Sequence, residues 1–152
     1  MIIITHLTPE RPADAEIAAF ENTVEGTLPV DYKLFLKSDN GGRPRERLFR
    51  LATRNGGSEE GLIDYFFALH AGRIGSLKRT WESYNDQLPA GHLPIATDSF
   101  GNLIVLKLGG PNPGQVYFWD HEEEEGSPVA ANLSPIAGSF AEFVVSLAVE
   151  VP

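Results

Sequence analysis

Apolar positions recur along this chain with two different periods, and the switches between them outline the elements. Ala13, Ile17, Phe20 and Val24 fall at i, i+4, i+7 and i+11, which puts them on one face of a helix over Ala13 to Asn22. Pro12 suits its first turn, where a missing N–H costs nothing, and Gly26 ends the pattern. Leu28-Pro29 opens a second helix, with Tyr32, Phe35 and Leu36 inside and Asp31, Lys33 and Lys37 outside. Asn40-Gly41-Gly42 stops it, because Asn and Gly tolerate positive φ in a cap and a tight turn.

The period then shortens. Arg43 to Thr53 reads as extended, with Arg43, Arg45 and Arg47 alternating ahead of Leu48-Phe49-Arg50-Leu51. Asn55-Gly56-Gly57 is a turn, and Leu62 to Leu69 fits a strand or turn better than a helix. Ile74, Leu77, Trp81 and Tyr84 are spaced by 3, 4 and 3 and predict a helix over Arg73 to Tyr84. Pro89 to Pro94 reads as loop. Ile95 to Asp98, Leu103 to Leu108 and Gln115 to Trp119 read as strands, joined by Ser99-Phe100-Gly101-Asn102 and by the loop Gly109 to Gly114. Glu122 to Pro128 is expected to be loop and Ala130 to Leu133 a short strand. Ser139-Phe140-Ala141-Glu142 matches a capping box at the start of a last helix, whose apolar stripe is Phe140, Phe143, Val144 and Leu147. The expected fold class is α+β: a single domain over 1–152 in which a mainly antiparallel meander packs against several helices.

Length and composition agree with this. The 152 residues suit one domain, and 42% hydrophobic with 22% charged residues is ordinary for a globular protein. Charge changes the picture more. The net charge is −9, and from Asp98 onward eight acids face the single base Lys107, a net −7 that leaves −2 for the first 97 residues. The arginines cluster at Arg43, Arg45, Arg47, Arg50 and Arg54. Such a balance disfavours direct nucleic-acid binding and attachment to an anionic membrane. It favours a partner of opposite sign, drawn to an acidic face. The bland alternative is a solvated, solubilising surface. Met1 to Ile4 is apolar, but His6, Glu10 and Arg11 follow too soon for a signal-peptide core, and no run approaches the ~20 apolar residues of a membrane span, so a cytoplasmic location is expected.

Candidate chemistry is sparse. With no cysteine, disulfides, thiolate catalysis and Cys-held zinc are excluded. The histidines His6, His70, His92 and His121 lie far apart; His121 beside Asp120 and Glu122 could join a weak metal site, but an exposed loop histidine explains it as well. Glu122 to Glu125 could hold a cation, yet four carboxylates in a row usually stay hydrated. Gly57-Ser58 and Gly138-Ser139 do not fit a nucleophile elbow, and Gly109-Gly110 lacks the Lys-Ser/Thr of a phosphate loop. Asp98 and Asp120 could form a carboxylate pair, though turn or surface roles are commoner for such residues. Tyr117, Phe118 and Trp119 could stack a base or sugar, but an aromatic strand is more often core. No enzymatic constellation and no cofactor site emerges.

Four strings in order resemble one family. Leu28-Pro29-Val30-Asp31-Tyr32-Lys33-Leu34-Phe35-Leu36 followed by Asn40-Gly41-Gly42 resembles the opening "LP-x-x-Y-x-x-F-L … NGG" of the SUKH superfamily, the Smi/Knr group. Leu93-Pro94-Ile95-Ala96-Thr97-Asp98 with Gly101-Asn102 is similar to its "P-I-A-x-D-x-x-G-N" hairpin, Val116 to Glu122 to its "V-Y-x-W-D-H-E" strand end, and Ile136 to Phe143 to its closing "I-A-x-S-F-x-E-F-L" helix. The likeness covers about residues 13–147; Met1 to His6 and the arginine stretch Arg43 to Arg54 have no counterpart in it. It implies a SUKH-like α+β fold and a non-enzymatic role. Bacterial members are largely immunity proteins that bind and block a cognate toxin, often a nuclease; fungal members regulate cell-wall synthesis through protein contacts. The resemblance therefore implies a toxin-neutralising module that works by occlusion. A regulatory scaffold for cellular proteins is the alternative, and a small metal-dependent hydrolase a remote one. The expected docking face is Asp120, Glu122, Glu123, Glu124 and Glu125. The resemblance also implies that Asp98 and Asn102 close a hairpin through side-chain to backbone bonds, and that Trp119 is core.

Overall fold

The computed structural model describes residues 1–53, 55–122 and 132–149. Its elements in chain order are β1 (Ile3–Thr5), α1 (Asp14–Val24), α2 (Val30–Ser38), β2 (Arg43–Pro44), β3 (Leu48–Ala52), β4 (Ser58–Phe66), α3 (Leu77–Tyr84), β5 (His92–Asp98), β6 (Leu103–Lys107), β7 (Val116–Trp119), β8 (Leu133–Ala137) and α4 (Phe140–Ser146). Strands β3 to β8 form one antiparallel meander in sequence order, and β1 pairs with β2 in a separate ribbon. The α+β architecture expected from the sequence is present.

Side-chain alternation decides what each sheet face meets. Phe66, Ala96, Ile104 and Phe118 stand opposite one another across β4 to β7 and so share a face. On that face Phe66 lies 5.3 Å from Phe35 of α2 and 6.0 Å from Phe140 of α4, and Phe140 lies 5.1 Å from Tyr32, ring centre to ring centre. Tyr65, Thr97, Leu103 and Trp119 share the other face, where Tyr84 of α3 packs edge-on against Trp119 at 5.7 Å. Trp119 is buried, as expected of a core residue. Helix α1 buries Ile17, Phe20 and Val24, and Lys33 and Lys37 of α2 pair with its Glu21 and Asp14.

The Asn40-Gly41-Gly42 turn has a definite task. Asn40 is fully buried with φ 50°; its Nδ2 donates to the carbonyls of Leu69 (2.6 Å) and Glu10 (3.1 Å), and its Oδ1 accepts the Leu69 N–H (2.9 Å). One side chain thus ties the end of α2 to the segment before α1 and to the loop after β4. Gly41 sits at φ +82°, and a Cβ there would come within 2.6 Å of the Phe67 carbonyl, so no other residue fits. On β3, the Phe49 ring lies over its cross-strand neighbour Gly61, where a Cβ would come within 2.3 Å of the ring.

Several element boundaries differ from the sequence reading. Arg43 to Thr53 is two strands rather than one, because β2 leaves to pair with β1, a strand the sequence reading did not include. The segment around Leu62 belongs to a longer strand that starts at Ser58. Helix α3 begins at Leu77, not Arg73: Gly75 turns the chain at φ +80° and Ser76 caps the helix by accepting the Arg79 N–H, which leaves Ile74 72% exposed. Strand β5 starts at His92 and contains Pro94, tolerated because the pairing register shifts between Pro94 and Ala96. The expected strand Ala130 to Leu133 lies partly outside the described residues; among those described the last strand is Leu133–Ala137.

Candidate docking face

The β5–β6 turn is built on Asp98. Its Oδ1 accepts the N–H groups of Phe100 (2.8 Å) and Asn102 (2.9 Å), and its Oδ2 accepts from Asn102 Nδ2 (2.8 Å). With Asn102 Nδ2 held by that carboxylate, Asn102 Oδ1 is left as an acceptor. It takes the His121 backbone N–H (3.2 Å) and stands 2.7 Å from His121 Nδ1, so the imidazole donates from that nitrogen. The hairpin and strand-end strings of the sequence therefore meet in space: Asp98 orients Asn102, and Asn102 fixes the chain as it leaves β7. Asp98 is 8% exposed with both carboxylate oxygens engaged, so it is a structural residue rather than half of an acid–base pair with Asp120.

Two of the expected docking residues lie at this end of the sheet. Asp120 Oδ1 accepts the Glu122 N–H (2.9 Å), which turns the chain outward, and the Glu122 side chain is 81% exposed. Glu123, Glu124 and Glu125 lie outside the described residues. At the same end of the sheet is a residue the sequence reading passed over. Phe100, at the tip of the β5–β6 turn, is 80% exposed, and its neighbour Gly101 faces the His121 ring. A large aromatic at the tip of a four-residue turn was the available signal. Phe100 also borders a groove of about 540 Å³ with Ser99, Leu48, Leu62, Gly61 and the Arg50–Glu60 ion pair.

The other candidates are engaged elsewhere. Phe118 packs on Phe49, Tyr117 on His92, and the Tyr117 hydroxyl donates to Gln115, so the aromatic strand serves as core. His6 lies by Asp39, His70 contacts Glu10 and Glu16, and His92 Nδ1 donates to the Pro89 and Ala90 carbonyls. Among the described residues no three His, Asp or Glu side chains gather where they could hold a metal ion. Ser139 caps α4 by accepting the Glu142 N–H (3.0 Å), and Glu142 reaches back to the Gly138 N–H rather than to that of Ser139. Between residues 43 and 50 the arginines are partnered: Arg43 with Asp64, Arg45 with Glu46, Arg50 with Glu60, and Arg47 Nε donating to the Ile63 carbonyl. Among the described residues no helix is long and apolar enough to cross a membrane.

Comparison with known proteins gives three matches. The chain is 28% identical over 153 aligned residues to the SPbeta prophage-derived uncharacterized protein YokK of Bacillus subtilis (strain 168), covering 91% of this chain and 76% of that one. A shorter match, 32% identical over 89 residues, is to the chloroplastic superoxide dismutase [Fe] 1 of Oryza sativa subsp. japonica; it takes in 57% of this chain and only 22% of that protein. The family model described as SMI1 / KNR4 family (SUKH-1) matches residues 11–146 and spans all four motif strings. This chain belongs to the SMI1/KNR4 (SUKH-1) family.

Proposed function

We propose that the protein is a non-enzymatic binding module that neutralises a basic protein toxin by docking its acidic end over the toxin's working surface. The observation that carries this reading is the placement of exposed Phe100 at the same end of the sheet as Asp120 and Glu122. An exposed aromatic at the same end of a sheet as acidic side chains fits a protein-binding hot spot, where the ring supplies affinity and the charges speed encounter. In the sequence the acidity continues through Glu123, Glu124 and Glu125. Most of the net charge falls from Asp98 onward, and a toxin that holds nucleic acid must itself be basic. The prophage derivation of the Bacillus relative supports a toxin over a cell-wall target, since a mobile element has no wall of its own to regulate.

The test is association with purified toxins encoded beside this gene. Reversing Glu122 to Glu125 should slow association about tenfold at low salt and flatten its salt dependence. Unchanged kinetics with a captured toxin would reject this face. Failure of every neighbouring toxin to bind would reject the toxin-neutralising reading.

A further inference from the structure

Asn-Gly occurs at two places in this chain, and the structure treats them in opposite ways. In Asn40-Gly41 the carboxamide is buried and pinned to Leu69 and Glu10. Asn55-Gly56 lies in the turn between β3 and β4, where both residues are exposed. The Gly57 N–H donates to Asn55 Oδ1 (3.3 Å), which fixes that atom as the carbonyl oxygen. The Thr53 hydroxyl donates to the same oxygen. The next backbone nitrogen, that of Gly56, donates to the Thr53 carbonyl across 3.2 Å. A Cβ built on Gly56 would meet nothing within 4 Å, so the chain has room to turn there. A hydroxyl aimed at a carbonyl oxygen, beside an unhindered nitrogen, has the parts of an oxyanion site and its nucleophile.

We propose that Asn55 is a site of self-modification, where the folded turn promotes attack of the Gly56 nitrogen on the Asn55 carboxamide. Closing that ring requires rotation about the Asn55 Cα–C bond. The Thr53 hydroxyl and the carboxamide both lie before this bond, so the contact between them survives the rotation. A solvent base takes the proton of the Gly56 N–H, and the nitrogen bonds to Asn55 Cγ. The developing charge falls on Oδ1, where the Thr53 hydroxyl receives it. The Cγ–Nδ2 bond then breaks, and ammonia leaves with a proton from water. Water opens the resulting cyclic imide at either carbonyl, which gives an aspartyl or an isoaspartyl residue at position 55. Water is the only co-reactant, and nothing is oxidised or reduced. The product adds one negative charge to the −9 of the chain, and the isoaspartyl form lengthens the backbone of the turn by one carbon.

The test is peptide mapping by mass spectrometry of the intact chain, kept for days at mildly alkaline pH. In the folded protein Asn55 should convert at least as fast as in the same chain unfolded in guanidinium chloride. Asn40 should convert only in the unfolded chain. A more acidic species should grow on ion exchange in step with the change at Asn55, and Asn55→Gln, whose longer side chain cannot close the same ring, should not form it. Thr53→Val keeps the shape of the side chain and removes the donor. It should slow the folded reaction about tenfold, short of the roughly 10²–10³ that such a donor is worth where water is excluded. In guanidinium chloride this variant and the wild type should convert alike, which ties the slowing to the folded turn. Conversion of Asn55 that is slower in the folded protein than in the unfolded chain overturns the proposal. So does a folded Thr53→Val protein that converts at or above the wild-type rate.

Discussion

Asp31, in the first turn of α2, accepts the Ala141 N–H in the first turn of α4 at 3.0 Å across 110 residues of chain, while its other carboxylate oxygen accepts the Tyr32 N–H at 2.8 Å. The sequence places Asp31 on the solvent side of its helix, yet it is half-buried and satisfies a donor that α4 cannot satisfy internally. Asp31→Ala should cost about 1 kcal/mol, the usual worth of a helix cap, while Asp31→Asn, which keeps an acceptor, should cost less. Urea unfolding of the three proteins checks this; equal midpoints for Asp31→Ala and wild type would show the bond to be idle.

Asn40 makes a larger claim on stability. Removing its amide strands the buried N–H and C=O of Leu69 together. Asn40→Ala should therefore cost about 2–4 kcal/mol, since each buried polar group left unpaired costs roughly 1–3 kcal/mol. Hydrogen exchange at the Leu69 amide should rise in parallel. A loss below about 1 kcal/mol would mean that water replaces the side chain.

Gly61 and Phe49 form a coupled pair. Gly61→Ala drives a methyl into the ring and should cost about 1–3 kcal/mol as overpacking. In a Phe49→Leu background the same change should cost much less, and the double-mutant cycle reports the difference. Strict additivity would place the ring elsewhere.

Burial pushes the Tyr32 phenol far above its ordinary value, and its hydroxyl has no hydrogen-bond partner among the described residues. The folded state therefore holds the proton that the unfolded chain releases near pH ~10. Stability from this group is complete below that pH and falls as pH rises further. Tyr32→Phe should leave neutral-pH stability unchanged or slightly higher and move the alkaline unfolding midpoint upward. Tyr65, whose phenol is also raised by partial burial, keeps part of the alkaline loss in place. An unchanged alkaline midpoint in Tyr32→Phe would refute the assignment.

Phe100→Ala separates docking from folding. At 80% exposure its loss should leave thermal unfolding within about 0.5 kcal/mol of wild type, the usual range for surface changes. Affinity for a captured toxin should drop by about 2 kcal/mol, a hot-spot value, read by calorimetric titration. Full affinity would remove Phe100 from the docking face.

What the sequence made legible follows from where each signal resides. Helices α1, α2 and α4 and the β5–β6–β7 hairpins show because their apolar spacing, caps and turn residues are local. The Asp98–Asn102 hairpin closure was expected from the family resemblance, and the structure shows it. Strand β1 was not legible, because three residues only become a strand through β2, about forty positions later. The outer half of β4, Ser58 to Gly61, carries solvent-facing Glu59 and Glu60 and so lacks an apolar pattern. Ile74 fits the spacing of α3 by coincidence, and the turn at Gly75 overrides it. At the proposed docking face the acids were visible as charge. Phe100 was not singled out, because an aromatic in a turn gives its role away only once its exposure is known.

The partnered arginines bear on how the protein behaves toward polyanions. Between residues 43 and 50 each guanidinium is already engaged by a carboxylate or a carbonyl of a neighbouring residue. A sulfated or phosphorylated polymer would have to evict a partner at every step along that stretch, against the repulsion of the whole acidic body. The protein should run straight through a heparin column at physiological ionic strength, despite a segment whose composition suggests retention.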